Sequence, residues 1–186
     1  DDTKVSKNDN IIISVGALEP VKGYERLITV AASVLKNHNN WKWEVYGEGD
    51  DQYKEKINAL IAAEGLQGKI MLMGNTMDIL SKYQNSKICV LTSRFEGLPM
   101  VLLEALSCGL PVVSFDIETG PNEIIINGVN GYLVEDNHEK EMIDKIEQLI
   151  DNEDELVQMA TNAHESISKF SKNKVLKQWN KLIEEI

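Results

Sequence analysis

Ile88-Cys89-Val90-Leu91-Thr92-Ser93-Arg94-Phe95-Glu96-Gly97-Leu98-Pro99-Met100-Val101-Leu102-Leu103-Glu104-Ala105-Leu106-Ser107-Cys108-Gly109-Leu110-Pro111-Val112-Val113-Ser114-Phe115 is the stretch whose reading decides the fold. Its opening run, Ile88 to Thr92, is short, continuous and apolar, the pattern of a strand covered on both faces of a parallel sheet. A loop with Gly97 follows, and Pro99 suits a first helical turn, where a missing amide costs nothing. The helix expected over Pro99–Cys108 is closed by Gly109. Pro111 to Phe115 is then a strand again. Strand, helix and strand in this order make a βαβ unit.

The same alternation extends in both directions. Ile11-Ile12-Ile13-Ser14-Val15 reads as the first strand, ending at Gly16, after polar residues 1–9 that are expected to fray. Residues 22–37 carry Leu27, Ile28, Val30, Ala31, Val34 and Leu35 at helical spacing. Trp41 to Tyr46 is a second strand, closed by Gly47-Glu48-Gly49, and residues 51–64 a helix stopped by Gly65. Lys69 to Met73, ending at Gly74, is a third strand, and a short helix over about 77–84 leads into Ile88. Beyond Phe115, a loop at Gly120-Pro121-Asn122-Glu123 enters a short helix. Asn127-Gly128 and Asn130-Gly131 are turn pairs ahead of a sixth strand, Tyr132 to Val134. The remainder is helical from Asn137, with breaks near 151–153 and 169–173, and 173–186 is an amphipathic helix expected to pack rather than to bind a partner.

The fold class is therefore α/β: one Rossmann-like, three-layer α/β/α domain over 1–186 with about six parallel strands. Such sheets bind ligands beyond the carboxyl ends of their strands. Gly16, Gly47, Gly74, Glu96 and Gly120 all follow strand ends, so they converge on one edge.

Composition bounds the function. The 186 residues, 42% hydrophobic, are enough for one sizeable core. A net charge of −11 argues against a nucleic-acid or anionic-membrane surface, though not against a nucleotide ligand. Cys89 and Cys108 lie in apolar contexts and read as reduced core thiols of a cytosolic protein. No run approaches the roughly 18 apolar residues of a membrane helix, and no signal peptide is visible. The chain opens on Asp1 rather than Met, as a piece of something longer would. His38, His138 and His164 fall in polar surroundings away from the strand ends, and Asp50-Asp51 reads as a helix cap rather than a metal pair. The glycine loops of dinucleotide oxidoreductases and P-loop enzymes are both missing, as is an Asp-X-Asp metal motif.

Two carboxylates stand out. Glu104 sits in a helix of otherwise apolar residues, where an ionised group is costly unless something donates hydrogen bonds to it. A ligand with vicinal hydroxyls would do so. Glu96 stands just before a helix start whose amides at Gly97, Leu98 and Met100 would favour phosphate. The segment therefore reads as a sugar or nucleoside site, against the plainer alternative of a helix-start charge and a surface residue.

Glu96-Gly97-Leu98-Pro99-Met100-Val101-Leu102-Leu103-Glu104-Ala105, followed by Cys108-Gly109-Leu110-Pro111-Val112-Val113, resembles the donor-site signature of family-4 (group 1) retaining glycosyltransferases. Ser14-Val15-Gly16 with Lys22-Gly23 resembles that family's first strand and phosphate loop. Gly120-Pro121-Asn122-Glu123-Ile124-Ile125 and Asn127-Gly128-Val129-Asn130-Gly131-Tyr132-Leu133-Val134 resemble its next two landmarks. The resemblance implies a GT-B enzyme, two Rossmann-like domains facing across a cleft, of which this chain would be the C-terminal, nucleotide-sugar-binding half and the N-terminal acceptor domain would be absent. It implies that Glu96 and Lys22 act at the reacting end, Glu96 on donor-sugar hydroxyls and Lys22 on the diphosphate. Glu104 would hold the ribose, the backbone from Gly97 through Leu98, Pro99 and Met100 to Val101 the phosphate and sugar, and Gly16 the phosphate loop. Met73, Gly74 and Asn75 would meet a uracil.

The implied activity is transfer, with retention and without a metal or other cofactor, of a hexose or N-acetylhexosamine from a UDP-sugar to a glycan or lipid-linked acceptor. Its setting would be bacterial surface polysaccharide (capsule or lipopolysaccharide) or glycolipid assembly, and the location cytoplasmic, any peripheral contact with the inner face of the membrane coming through the missing domain. This half alone would bind donor and transfer nothing. A GT-B nucleotide-sugar epimerase or hydrolase, and a non-catalytic nucleotide-sugar-binding domain, are the alternatives. One departure favours the last: Ala17 stands where the family usually carries an arginine, a loss of about 1–3 kcal/mol of charged hydrogen bonding unless Arg26 or Arg94 substitutes.

Overall fold

The computed structural model describes residues 10–184, so the expected fraying of residues 1–9 lies outside the described residues. Six strands form: β1 (Ile11–Val15), β2 (Lys42–Tyr46), β3 (Ile70–Gly74), β4 (Ile88–Leu91), β5 (Val112–Asp116) and β6 (Gly131–Glu135). They make one sheet in the order β3-β2-β1-β4-β5-β6, and every neighbouring pair is parallel. Between them run α1 (Tyr24–Asn37), α2 (Asp51–Ala63), α3 (Ile79–Asn85), α4 (Met100–Ser107) and α5 (Pro121–Ile124); α6 (Glu139–Asp151), α7 (Glu153–Ser166) and α8 (Lys172–Glu184) follow.

Alternation along the strands divides the core into two. Ile12, Val90, Val113 and Phe115 point to the layer where Val30 and Val34 of α1 and Met142 and Ile146 of α6 are buried. Their neighbours Ile13, Cys89 and Val112 point to the opposite layer, with Leu102 and Leu106 of α4 and Ala163 of α7. Both faces being covered explains why each strand reads as a continuous apolar run.

Boundaries move where caps intervene. The helix expected from residue 22 starts at Tyr24, because Pro20–Lys22 form a 3-10 turn and Gly23 takes a left-handed conformation. Pro99 stands at the N-cap of α4, one step before the first turn in which it was expected, and its carbonyl accepts from the Leu102 amide at 3.0 Å. The start of α3 is delayed to Ile79 by Asp78, whose carboxylate accepts from the Ser81 amide at 3.3 Å. Asp50 caps α2 as its position implies, accepting from the Tyr53 amide at 2.8 Å.

The C-terminal amphipathic stretch forms α8 but does not pack as expected. No residue of this helix is buried, and Leu176, Trp179, Leu182 and Ile183 are exposed.

One buried polar bridge pins the centre of the sheet. Ser14 Oγ donates to the Val90 carbonyl at 2.7 Å across β1 and β4, and accepts from the Trp43 indole nitrogen at 3.0 Å across β1 and β2. Trp43 is fully buried. Ser14→Ala would leave that indole donor unsatisfied, so urea denaturation followed by tryptophan fluorescence should show a loss of about 1–3 kcal/mol. An unchanged midpoint would mean that the bridge contributes nothing.

Candidate functional site

The order of strands reverses between β1 and β4, and the loops leaving their carboxyl ends diverge there, which is where open α/β sheets bind ligands. The β1 loop carries Gly16, Ala17 and Lys22, and the β4 loop carries Ser93 and Glu96. Lys22 Nζ and Glu96 Oε1 meet at 2.7 Å across this gap. Neither is fully open to water, with side-chain exposures of 24% and 11%. The same Glu96 oxygen accepts from Ser93 Oγ at 2.6 Å.

The loop around Glu96 is clasped from the other side. Thr119, after β5, donates its hydroxyl to the Glu96 carbonyl at 2.6 Å. Gly120 has φ of 100°, and a Cβ there would lie 2.4 Å from the Gly97 carbonyl oxygen. Only glycine lets these two loops touch.

Beside the ion pair lies a cleft of about 460 Å³ whose lining includes Gly16, Ala17, Gly74, Asn75 and Glu104. Gly16 joins the two regions, since a Cβ there would lie 3.6 Å from the Lys22 side chain. The Gly47 amide donates to the Gly74 carbonyl at 3.0 Å and so draws the ends of β2 and β3 to the cleft floor. A larger groove, about 730 Å³, runs along α8. Its walls come from that helix alone, so it is the flank of an exposed helix rather than an enclosed site.

The burial cost at Glu104 is met partly within the protein. Tyr83 Oη donates to Glu104 Oε2 at 3.2 Å, and Tyr83 is fully buried. Burial first, then the neighbouring Cys89 and Glu104, pushes the Tyr83 hydroxyl far above its usual range, so it stays a donor. Burial, then Glu104, pushes the Cys89 thiol from 9.0 up to about 12. Tyr24, which donates to the Gly16 carbonyl at 2.7 Å, is also raised, first by burial.

The residues singled out in the sequence thus gather on one edge. Gly16, Gly74, Asn75 and Glu104 share the cleft, and Lys22 pairs with Glu96. Gly97, Leu98, Pro99, Met100 and Val101 form the loop and first turn of α4 beside Glu96, with the Leu98 and Met100 side chains exposed. Ser93 and Tyr83, and the contact made by Thr119, carry no signal of their own in the sequence; each is a hydroxyl on a loop or helix adjoining Glu96 or Glu104, a pattern displayed only once the partners are known. One substitute for the missing arginine is corrected. Arg26 is 5% exposed, and its guanidinium is bound to Thr92, Ser93 and Asp136. It cannot turn to a diphosphate. Arg94 is exposed. The three histidines do not line the cleft.

Comparison with known proteins agrees with this geometry. The profile of the family described as glycosyl transferases group 1 matches residues 1–166, and the chain belongs to that family. It is 34% identical over 174 residues to a poly(ribitol-phosphate) alpha-N-acetylglucosaminyltransferase of Staphylococcus aureus, covering 93% of this chain and 35% of that protein. It superposes with a TM-score of 0.88 and 34% identity on S. aureus TarM, a variant solved with Fondaparinux, alpha-GlcNAc-glycerol and UDP, over 94% of this chain and 35% of that one. The C-terminal domain of a group 1 family glycosyl transferase (LpcC) of Francisella tularensis is 26% identical with a TM-score of 0.78. There 90% of this chain covers 88% of the other. The Rossmann-like three-layer sheet is accordingly the C-terminal half of a GT-B fold, and the chain spans about a third of the first relatives' length.

The raised thiol and phenols set a sign for alkaline stability. Their ionised forms are disfavoured by the fold, so the contribution is intact below about pH 9, where unfolded thiols begin to ionise, and is lost as pH rises towards 12. Unfolding free energy should therefore fall with pH above about 9. Iodoacetamide should label half-buried Cys108 readily and buried Cys89 only after denaturant is added. Equal labelling of both in the folded protein would contradict this burial.

Proposed function

We propose that this chain is the donor-binding domain of a retaining glycosyltransferase that moves a hexose or N-acetylhexosamine from a UDP-sugar to a glycan or lipid-linked acceptor, in cell-surface polysaccharide or glycolipid synthesis. The observation that carries the reading is the Lys22–Glu96 pair at 2.7 Å over the point where strand order reverses, beside the cleft that holds Glu104. Family membership and UDP in the TarM structure support it.

The roles follow from charge. A diphosphate gains negative charge as the glycosidic bond breaks, and Lys22 is the cation on the β1 loop that would stabilise it. A phosphate oxygen competing for Lys22 would release Glu96 Oε1 to accept sugar hydroxyls, while Ser93 keeps the carboxylate aimed. Glu104, held through one oxygen by Tyr83, has the other for ribose hydroxyls. Glycines at 16 and 74 leave room for backbone contacts with phosphate and uracil. Acceptor recognition and part of the catalytic machinery belong to an N-terminal domain, and the exposed apolar face of α8 suits contact with it.

Ala17 favours a second reading, a domain that binds nucleotide sugar without turning it over, because it lines the cleft without charge and Arg26 is engaged elsewhere. Calorimetric titration with UDP and UDP-sugars tests both. Lys22→Ala should weaken UDP binding about tenfold to hundredfold, and Ala17→Arg should tighten it by a similar factor. The chain alone should transfer no sugar. Undetectable UDP binding by the unaltered chain would sink the donor-binding reading. An Ala17→Arg chain with unchanged affinity would mean that the missing arginine is no real loss.

A further inference from the structure

We infer that Arg26 is the positioning residue that sets Lys22 against Glu96. It is a buried guanidinium that fastens the head of α1 to the loop leaving β4. The inference rests on the donor-binding reading for its functional meaning, but its geometry stands on its own.

Arg26 lies one helical turn beyond Gly23, and helical side chains lean back over the preceding turn. From there its three nitrogens reach three different acceptors. Nε donates to the Thr92 carbonyl at 2.6 Å, one terminal nitrogen donates to the Ser93 carbonyl, and the other donates to Asp136 Oδ1 at 2.6 Å. The guanidinium plane stacks over Phe115, 4.2 Å from the ring centroid. A buried charge is tolerated only when paired and hydrogen-bonded in this way. The fork is rigid, so it fixes two consecutive carbonyls relative to one another and to α1.

Those carbonyls belong to the residues that shape the site. Ser93, whose carbonyl Arg26 holds, donates its hydroxyl to Glu96 Oε1 at 2.6 Å. Thr92 donates its hydroxyl to the Lys22 carbonyl at 3.1 Å. The Arg94 amide donates to the Val21 carbonyl at 2.7 Å. Gly23 has φ of 68°, and a Cβ there would lie 2.1 Å from the Thr92 carbonyl oxygen and 2.9 Å from Arg26 Nε. The residues bearing Lys22 and those bearing Glu96 thus approach as closely as backbone allows, with Arg26 filling the joint. Asp136 adds the loop after β6. A lysine at 26 keeps the charge but cannot span three acceptors with a fixed plane.

Carbodiimide coupling of Lys22 to Glu96, quantified by peptide mass spectrometry, reads the contact without any nucleotide. The Lys56–Glu25 pair, at 2.8 Å between α2 and the first turn of α1, shares no side-chain hydrogen bond with Arg26 and is the internal reference. In Arg26→Lys the Lys22–Glu96 product should fall about fivefold or more, while the Lys56–Glu25 product is retained. Should Arg26→Lys fail to fold, Asp136→Asn, which keeps an acceptor but removes the outer partner's charge, should lower the same product to a lesser degree. An unchanged Lys22–Glu96 yield, or parallel loss of both products, overturns the inference. UDP titration of the same variants supplies the functional arm. Arg26→Lys should raise Kd about tenfold, and that penalty should vanish in the Lys22→Ala background, because both act through one contact. A penalty of the same size in both backgrounds would show Arg26 to be merely structural. A wild-type chain that couples Lys22 to Glu96 yet binds no UDP would refute the donor-binding reading and leave the positioning role standing.

Discussion

β1 pairs with β4 at the centre of the sheet, and from that pairing the strand order runs in opposite directions. Everything at the site depends on how the two carboxyl ends separate there. Parallel strands deliver all their exits to one edge, but only at this reversal do adjacent exits turn away from each other and leave a crevice. Lys22 arrives on one exit and Glu96 on the other, so neither loop contains the ion pair by itself. Ser14 reinforces the same junction from within the core, bridging β1 to β4 and to the Trp43 indole.

The site is a layered construction rather than a set of exposed side chains. Glu96 is met by the Ser93 hydroxyl at its side chain and by the Thr119 hydroxyl at its backbone. Glu104 is met by a phenol that is wholly buried. Each carboxylate therefore has an oxygen fixed by protein, which lowers the cost of burying it and limits its freedom to rotate. Glycines at 23 and 120 make the loop contacts possible where a Cβ would collide with a carbonyl.

Much of the fold was legible because its signals are local. Ile11–Val15 announces a two-sided strand with no help from distant residues, and its boundaries in the structure are those expected. Ends set by a single cap were less legible: Asp78 and Gly23 displace α3 and α1 by a residue or two. At the site, the gathering of Gly16, Gly74 and Glu96 followed from strand–helix alternation, since every exit falls on one edge, whereas Lys22 was marked by the family resemblance and Glu104 by its place in an apolar helix. The supporting contacts did not. Arg26 sits in an amphipathic helix and looked like a spare cation, because nothing local shows that Thr92, Ser93 and Asp136, far along the chain, will enclose it. The apolar stripe of α8 signalled a helix correctly but not what it faces, and among the described residues it remains exposed.

The partial exposure of Lys22 at the crevice has a kinetic meaning. The chain carries a formal charge of −11, and Glu48, Glu96 and Glu104 stand around Lys22 and the cleft. On the donor-binding reading proposed above, an approaching diphosphate would meet net repulsion from this domain until it came within about a Debye length, roughly 8 Å at physiological ionic strength, of Lys22. Capture by this domain would thus not be steered from a distance, as it is at strongly basic clefts. Added salt, by screening the acidic surroundings, opposes long-range repulsion while weakening the final contact. The encounter rate and the residence time should consequently respond to ionic strength in opposite directions, with selectivity resting on the short-range geometry that fixes Lys22 and the carboxylates.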